Sequence, residues 1–336
     1  MPQGEPPHLS MLSVENLVTV YTTKMGDVKA VDDVSFKVDK GEIFGLAGES
    51  GCGKTTAILS ILNLLPKNGK VLGGRIKYHE YDLANIERSV LRDEIWWKKI
   101  SLVFQAAMNA LNPVLTVGSQ ISEPLLLHSD MTRPEAEERV KELFELVGID
   151  PSRTDHFPHE FSGGMRQRAM IAMALACDPE LIILDEPTTA LDVVVQGEVL
   201  DLIKTLQRTL GLSVILITHD LSVIAETCDR TGIMYAGKIV ECADTRTIFK
   251  EPRHPYTQGL IGAFLNLKGE WRRIEGISGS PPNLLQPPPG CNFHPRCKYA
   301  RERCRTEEPK PVEVAENHFT SCHFIDEVAE IVRGGE

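Results

Sequence analysis

The sequence predicts an α/β fold in which a largely parallel sheet is covered by helices on both faces. Three observations support this fold class. Short runs of large aliphatic residues recur over roughly the first 250 residues, as expected of buried strands. Stretches with helical spacing of apolar residues separate these runs. A glycine-rich turn joins one strand directly to a helix, an order typical of parallel α/β sheets.

The predicted elements follow one another in an alternating order. Residues 12–20 and 34–38 are apolar and β-branched, which predicts short strands. Residues 43–47 predict a strand that runs into the glycine-rich turn, and residues 57–65 then continue with helical spacing until Pro66. Further strands are predicted at 100–104, 181–184 and 214–218, and helices at 134–147, 164–176 and 193–210.

Length and charge narrow the class of protein. The 336 residues are 42% hydrophobic, which is enough for one large domain and a smaller appendage. The formal net charge of −11 provides no basic surface, so we expect no nucleic-acid partner. No stretch approaches about 18 consecutive apolar residues, and the N-terminus lacks the basic and apolar regions of a signal peptide. We therefore expect a soluble protein that is not exported.

The composition of the chain changes near residue 250. Residues 252–289 contain seven prolines, too many for a regular core, which indicates an extended arm or linker. We predict a flexible tail at residues 1–10, a main domain at 11–250 and a C-terminal extension at 251–336.

Residues 48–55 read Gly-Glu-Ser-Gly-Cys-Gly-Lys-Thr and fit the phosphate-loop pattern G-x-x-x-x-G-K-[ST]. In such a loop, backbone N–H groups surround phosphates at a helix N-terminus. Lys54 supplies a point charge for the β- and γ-oxygens, and the hydroxyl of Thr55 can ligate Mg²⁺. The predicted ATP-binding residues here are Gly48, Ser50, Gly51, Cys52, Gly53, Lys54, Thr55 and Thr56. The sequence therefore predicts that the chain binds and hydrolyses ATP.

A second motif is an apolar strand that ends in two acidic residues, Asp185 and Glu186. Asp185 would hold the Mg²⁺ shell, and Glu186 would polarise the attacking water. Alone, this pattern is more often a strand followed by a solvated turn. In a chain that also contains a phosphate loop earlier in its sequence, the pattern indicates a catalytic pair.

Residues 161–168 read Phe-Ser-Gly-Gly-Met-Arg-Gln-Arg, in which a serine and two glycines open a helix and form a second anion site. Here the sequence resembles the ATP-binding cassette family, whose signature segment is Leu-Ser-Gly-Gly-Gln followed by basic residues. Phe161 replaces the leucine, and Met165 replaces the glutamine. The resemblance covers about residues 12–250. It implies a RecA-like P-loop core with an N-terminal antiparallel β subdomain and an inserted helical subdomain at about 106–176.

The resemblance also implies roles for single residues. Tyr21 looks like the aromatic residue on which adenine stacks, and His219 looks like the histidine that contacts the γ-phosphate. Gln105 looks like the glutamine that reaches Mg²⁺ and the nucleophilic water, so that the implied Mg²⁺ ligands are Thr55, Gln105 and Asp185. The implied catalytic residues are Glu186, His219, Lys54 and Gln105.

The family works as a pair of cassettes that close head to tail. The resemblance implies that Ser162, Gly163 and Gly164 of one chain cover the ATP that the phosphate loop of the other chain holds. Asp192, in the sequence Ala-Leu-Asp at 190–192, resembles the loop that crosses this dimer interface.

Four of the eight cysteines, Cys291, Cys297, Cys304 and Cys322, fall within the last 46 residues. In a reducing cytoplasm, such a group usually indicates a metal or cluster site. The group has no Cys-x-x-Cys pair, which favours a [4Fe–4S] cluster over Zn²⁺, and either over unligated thiols or disulfides. We expect the basic residues among them to lower the thiol pKa values. These residues are Arg296, Lys298, Arg301, Arg303 and Arg305.

The sequence Arg-His-Pro-Tyr-Thr at 253–257, the proline-rich arm and the clustered cysteines resemble the C-terminal extension of oligopeptide and dipeptide permease ATPases. This resemblance contributes to the preference for a cluster. It implies an importer ATPase on the cytoplasmic face of the membrane that drives peptides through two separate membrane permease subunits. An extracytoplasmic peptide-binding protein would deliver the peptide, and a paralogous cassette would complete a heterodimer.

Two alternatives remain at this point. Importers of nickel share the same ATPase design, so the sequence does not decide whether the transported substrate is a peptide or nickel. A soluble cassette ATPase acting on ribosomes or nucleic acid is the competing class, although it usually carries two cassettes and an N-terminal cluster domain. A nucleotide-binding regulator without turnover is disfavoured because Glu186 and His219 are both present.

Overall fold

The computed structural model describes residues 10–105, 110–265 and 276–327, so the predicted tail lies almost entirely outside the described residues. The chain divides into two compact units. Unit 1 comprises residues 1–39, 44–85 and 218–336, and unit 2 comprises residues 40–43 and 86–217.

Strands and helices alternate along most of the described chain. The strands are β1 (Leu12–Thr23), β2 (Gly26–Val38), β3 (Ile43–Ala47), β4 (Gly69–Tyr78), β5 (Tyr81–Asp82), β6 (Ile100–Val103), β7 (Leu181–Asp185), β8 (Ser213–Thr218), β9 (Arg230–Tyr235), β10 (Lys238–Asp244), β11 (Val312–Ala315) and β12 (His318–Thr320). The α-helices are α1 (Lys54–Ile61), α2 (Arg88–Val90), α3 (Val117–His128), α4 (Arg133–Leu146), α5 (Gly163–Ala174), α6 (Val193–Leu210), α7 (Leu221–Thr227), α8 (Thr245–Lys250), α9 (Pro255–Leu265) and α10 (Glu302–Thr306). Single helical turns lie at Leu91–Ile95, Pro151–Asp155, Pro158–Glu160 and His294–Arg296.

Unit 1 contains an antiparallel sheet of order β2-β1-β4-β5. Its strands bury aliphatic side chains on one face, among them Leu12, Val14 and Ile76. A second set of strands has the order β11-β12-β10-β9-β3, in which only the β3–β9 pair is parallel. The antiparallel β subdomain that the family resemblance implies is therefore confirmed.

Unit 2 contains the parallel strands β8, β7 and β6. All residues of β7 are buried, as in a parallel strand that is covered on both faces. Helices α3, α4 and α5 pack against one another in this unit and account for the implied helical part of the fold. The predicted helix at 193–210 coincides with α6, and the predicted helix at 134–147 differs from α4 by one residue at each end.

The C-terminal extension contains more regular structure than its prolines predict. Helix α9 begins at Pro255, a first helical position where the missing N–H of proline costs nothing. Strands β11 and β12 extend the sheet beyond β10. The domain boundaries at residues 10 and 250 remain predictions. Among the described residues, no helix is both long and apolar enough to cross a bilayer.

A buried glutamate on β10 holds the start of the extension in place. Glu241 on β10 accepts the backbone N–H groups of Arg253 and His254 at 2.6 and 3.0 Å. Its carboxylate also lies 2.8 Å from Nε2 of His318 on β12. Because a buried carboxylate is costly unless it is fully hydrogen-bonded, these contacts fix both segments on β10.

Candidate active site

The phosphate loop connects β3 to α1 in unit 1 and requires glycine at two positions. Gly48 has a φ of 150°, and a β-carbon there would lie 2.2 Å from the carbonyl oxygen of Met234. Gly53 has a φ of 108°, and a β-carbon there would lie 2.2 Å from the carbonyl oxygen of Ala30. Both glycines therefore allow the loop to pass close to neighbouring backbone.

Other parts of the loop face open space. A β-carbon at Gly51 would have no neighbour within 4 Å, although its φ is 79°. Ser50, Gly51 and Thr55 are exposed, so the outer surface of the loop is accessible to a ligand. Helix α1 begins at Lys54 with Gly53 as its N-cap, which directs the first N–H groups of the helix towards the loop.

Lys54 is buried inside the loop. Its Nζ donates to the carbonyl oxygens of Gly48 and Glu49, at 2.7 and 3.1 Å. Because these carbonyls belong to the first residues of the loop, the ammonium group connects the end of the loop to its beginning. A cation in this position can approach the phosphates that the loop surrounds.

Cys52 and Tyr21 support the loop and helix α1. The carbonyl oxygen of Cys52 accepts the N–H of Gly237 at 2.8 Å, and burial raises the pKa of its thiol. The hydroxyl of Tyr21 donates to Oγ1 of Thr56 at 3.4 Å. Tyr21 is only partly buried, which leaves ring surface available for stacking.

His219 is exposed in unit 1, between Thr218 and the N-cap residue of α7, Asp220. The N–H of Asp220 donates to Oγ1 of Thr218 at 3.0 Å, and its carboxylate accepts the N–H of Ser222 at 2.8 Å. These bonds define the turn that presents His219.

The predicted catalytic residues of unit 2 meet at the carboxyl end of β7. Nε2 of Gln105 donates to Oε2 of Glu186 at 2.9 Å, and Oγ1 of Thr189 donates to the same oxygen at 3.0 Å. The N–H of Glu186 donates to the carbonyl oxygen of Ile217 at 2.9 Å. Glu186 has a φ of 49°, an uncommon value for a residue with a side chain, so its orientation is fixed by its surroundings. Asp185 precedes it and is buried at the end of β7.

The signature residues open helix α5. Ser162 is the N-cap and accepts the N–H of Met165 at 3.2 Å. A β-carbon at Gly164 would lie 2.4 Å from Cγ1 of Val195, so glycine is needed where α5 approaches α6. Ser162 is exposed, which leaves this helix start accessible to a ligand.

Asp192, which the resemblance assigns to a dimer interface, also has a structural role. Its carboxylate accepts the N–H groups of Val194 and Val195 at 3.1 and 3.0 Å and caps helix α6. The next two side chains, Val193 and Val194, are 86% and 73% exposed. Two exposed apolar side chains therefore follow this N-cap directly.

Three residues contact the candidate site without having been predicted to do so, namely Thr189 and, from the extension, Arg296 and Tyr256. Thr189 contacts Glu186, but its position in the sequence carries no recognisable signal. Arg296 and Tyr256 contact Glu49 of the phosphate loop, although more than 200 residues separate each of them from it. A sequence contains no local pattern that would reveal such long-range pairs.

Two families match this chain. The ABC transporter family matches residues 31–189, and the oligopeptide/dipeptide transporter C-terminal region matches residues 240–304. The dipeptide transport ATP-binding protein DppD of Bacillus subtilis is 46% identical over 95% of this chain and 96% of its own length. DppD of Escherichia coli is 40% identical over 94% of this chain and 97% of its own length.

The chain belongs to the family of ABC transporter ATP-binding proteins. A solved dimer of the ATP-binding cassette MJ0796, bound to ADP and Pi, has a TM-score of 0.63 and 28% identity over 70% of this chain and 99% of that one. The cassette cbiO1 of Clostridium perfringens has a TM-score of 0.64 and 26% identity over 77% of this chain and 95% of that one. The predicted fold class is confirmed. The prediction that the chain binds and hydrolyses ATP is confirmed as well.

The predicted iron–sulfur cluster is wrong, and so is the alternative Zn²⁺ site. The four cysteines Cys291, Cys297, Cys304 and Cys322 line one small cavity in this ABC ATPase. Within residues 10–105, 110–265 and 276–327, however, no group of three or more His, Cys, Asp or Glu side chains is arranged to hold a metal ion. We therefore assign no cluster or metal to this extension.

The acidity of these thiols also differs from the expectation that basic neighbours would lower their pKa values. Metal ions are held by thiolates, and neighbouring basic residues would favour that form. Instead, burial raises the pKa of Cys291 to about 12 and that of Cys297 to about 11. Burial also raises the pKa of Cys322. One of the basic residues, Arg296, pairs with Glu49 instead of acting on the thiols.

Proposed function

We propose that this ABC ATPase powers the import of dipeptides or oligopeptides through separate membrane permease subunits. The observation that carries the proposal is the match of residues 240–304 to the oligopeptide/dipeptide transporter C-terminal region. Relatives that align over nearly the whole chain are named as dipeptide or oligopeptide transport ATP-binding proteins, which supports the same cargo. In this proposal, the protein works at the cytoplasmic face of the membrane, and an extracytoplasmic binding protein delivers the peptide.

The residues of the phosphate loop are proposed to bind the phosphates of ATP. The loop N–H groups and the start of α1 provide donors for the phosphate oxygens, and Lys54 offsets charge on the β- and γ-phosphates. Tyr21 is proposed to stack on the adenine, and its partly buried ring supports this role. His219 is proposed to contact the γ-phosphate, which fits an exposed imidazole on a rigid turn.

Glu186 is proposed to act as the general base for hydrolysis. Two donors on its Oε2, from Gln105 and Thr189, restrict the rotation of the carboxylate and fix the direction in which it can accept a proton from water. The proton of the attacking water moves to the carboxylate as the water oxygen bonds to the γ-phosphorus, while the bond between that phosphorus and the β–γ bridging oxygen breaks and ADP leaves. Gln105 orients Glu186 in this way, and it can also orient the water.

Mg²⁺ is proposed as the metal because the ligands that the family resemblance implies have oxygen donors. Thr55, Gln105 and Asp185 offer hydroxyl, amide and carboxylate oxygens, which are hard ligands. When bound, Mg²⁺ offsets charge on the phosphate oxygens. Asp185 lies in a buried strand end, where a carboxylate is favoured by a cation close to it.

A second cassette is the proposed partner, and a paralogue would make the pair a heterodimer. Ser162, Gly163 and Gly164 form a helix start that can contact the phosphates of a nucleotide held by the partner. The exposed pair Val193 and Val194 supports a covered surface next to Asp192. The similar cassette MJ0796 was solved as a dimer.

Helix α3 supports the proposed contact with a permease. Leu126 and Leu127 on this helix and Leu115 just before it are exposed in unit 2. All three leucines line one groove, and a contiguous exposed apolar surface of this kind supports a contact with another protein.

The proposal is tested by removing the chain from cells and measuring uptake. Cells that lack it should lose accumulation of a radiolabelled dipeptide and recover it when the intact chain is restored, but not when Lys54→Ala is restored. Uptake of labelled nickel should not change. Loss of nickel uptake with normal dipeptide uptake would contradict the peptide assignment.

A second measurement identifies the partners. The tagged chain, purified from solubilised membranes, should bring with it two hydrophobic permease subunits and a second cassette. Recovery of ribosomes or nucleic acid in their place would contradict an importer role.

A further inference from the structure

The C-terminal extension reaches the phosphate loop through one ion pair. The guanidinium of Arg296 donates to both carboxylate oxygens of Glu49, at 2.6 and 2.9 Å. The side chain of Arg296 is only 5% exposed, so this pair is largely shielded from water and salt. Both residues belong to unit 1.

Glu49 is held at its backbone as well as at its side chain. Its N–H donates to the hydroxyl of Tyr256 at 3.0 Å, and its carbonyl oxygen accepts from Nζ of Lys54 at 3.1 Å. Two of these three partners, Arg296 and Tyr256, come from the extension. The extension therefore determines where the second residue of the phosphate loop lies.

A cluster of three aromatic rings lies next to the ion pair. The rings of Tyr235 and Tyr256 lie 4.6 Å apart, and Phe293 is 5.2 Å from the first and 5.4 Å from the second. The guanidinium of Arg296 lies 5.7 Å from the centre of the Tyr235 ring. All three rings are buried, so Arg296 has little freedom to move away from Glu49.

The extension also holds the loop by a second route. Nδ2 of Asn292 donates to the carbonyl oxygen of Ala236 at 3.2 Å, and the N–H of the next residue, Gly237, donates to Cys52 of the loop at 2.8 Å. The short turn between β9 and β10 is thus fixed to the extension on one side and to the loop on the other.

The negative charge of Glu49 affects how well the loop can bind ATP. The carboxylate of Glu49 belongs to the loop that is proposed to bind the phosphates of ATP. An unpaired carboxylate there would repel these phosphates. We infer that Arg296 is a positioning residue for ATP binding, which acts through Glu49 by neutralising its charge beside the phosphates. The inference rests on the proposed binding of ATP at this loop. It gives the extension a direct role in ATP affinity.

The experiment measures the affinity of the purified full-length chain for a fluorescent ATP analogue. Arg296→Gln should raise the dissociation constant about tenfold, because it leaves a carboxylate without its cation next to the phosphates. Arg303→Gln is the matched control, since Arg303 forms an exposed ion pair with Glu307 in the same extension, and it should leave the affinity unchanged.

A double substitution separates charge from general damage to the fold. Glu49→Gln alone should bind the analogue at least as tightly as the native chain, and Glu49→Gln combined with Arg296→Gln should return to within about twofold of it. Equal affinity of Arg296→Gln and Arg303→Gln would overturn the inference. A double variant as weak as Arg296→Gln, or weak binding by Glu49→Gln alone, would overturn it too.

The proposed ATP site has its own control. Lys54→Ala should lose binding of the analogue. Unchanged binding by Lys54→Ala would refute the phosphate loop as the ATP site and the inference with it. Loss of binding by Lys54→Ala together with normal binding by Arg296→Gln would refute the inference alone.

Discussion

Gln105 and Glu186 are 81 residues apart in the sequence, yet Nε2 of the glutamine donates to Oε2 of the glutamate at 2.9 Å. They come together because β6 and β7 are parallel neighbours, so that the residues after their carboxyl ends lie side by side. Thr189 adds a second donor to the same oxygen. These two hydrogen bonds orient the glutamate, which suits the general-base role proposed for it.

Replacing Glu186 by glutamine should separate ATP binding from hydrolysis. The amide keeps the size and much of the hydrogen bonding of the carboxylate but cannot take a proton from water, so we expect turnover to fall at least about a hundredfold. ATP affinity should change little. Phosphate release and equilibrium binding, measured on the same preparation, test both statements.

The matched control for this substitution is Glu138→Gln. Glu138 pairs with Lys141 on the exposed face of α4 and should have no effect on turnover. Near-normal turnover by Glu186→Gln would remove Glu186 from the role of general base.

Gly164→Ala should damage the signature segment through a steric conflict. The added methyl group would lie 2.4 Å from Cγ1 of Val195, so α5 and α6 must move apart at their N-termini. We expect a loss of about 1–3 kcal/mol in the free energy of unfolding and a lower rate of ATP hydrolysis. Chemical denaturation and phosphate release measure the two effects.

Two further variants test the cause of this damage. Val195→Ala removes the methyl group that conflicts, so Gly164→Ala with Val195→Ala should recover most of the lost stability. Gly197→Ala in α6 meets no atom within 4 Å and should be neutral or slightly stabilising. If the double variant is no more stable than Gly164→Ala, the steric explanation is wrong.

Gly53→Ala should be far more harmful than Gly51→Ala. Both glycines have a positive φ, but only at Gly53 would the β-carbon collide with backbone, 2.2 Å from the carbonyl oxygen of Ala30. Gly51→Ala should lower the free energy of unfolding by about 1–2 kcal/mol, because alanine is strained in this backbone conformation. Gly53→Ala should lower it by several kcal/mol more. Similar unfolding midpoints for the two variants would show that the contact with Ala30 is not limiting.

Some of this protein could be predicted because the information is local. The phosphate loop lies between a buried strand and a helix within a few residues, and the burial of β7 follows directly from its aliphatic run. Helix α6 carries its own N-cap, Asp192, and ends at Gly211 in the left-handed conformation, so both of its ends are encoded in the sequence.

Other features depend on contacts that no local pattern contains. Strands β11 and β12 are short and form only because β10 offers an edge to pair with. Helix α9 starts at a proline that, in the sequence alone, indicates an arm. The sequence predicted that nearby positive charges would lower the pKa values of the clustered cysteine thiols. Burial depends on the whole fold, and it raises the pKa values of Cys291 and Cys297 instead.

His254 should make the stability of the protein depend on pH in the mildly acidic range. Burial lowers the pKa of His254 to about 4, and Nδ1 accepts the N–H of Tyr256 at 3.1 Å, a bond that requires the neutral ring. The carboxylate of Glu241 opposes this shift without reversing it. Because the unfolded chain takes up a proton near pH 6.5 and the folded chain does not, the contribution to stability is complete above pH 6.5 and is lost as the pH falls towards 4.

The expected loss over that range is roughly 3 kcal/mol, from about 1.4 kcal/mol per unit of pKa difference. The unfolding free energies at pH 7.0 and about pH 5 should show roughly 2 kcal/mol of this loss, because only about 1.5 pH units below pH 6.5 lie between them. Comparison with variants separates this effect from that of other groups that titrate. His254→Gln cannot take up this proton, so its free energy of unfolding should fall less between the two pH values than that of the native chain. His159→Gln, at an exposed position, should keep the native dependence. If His254→Gln shows the same pH dependence as the native chain, His254 is not the group responsible.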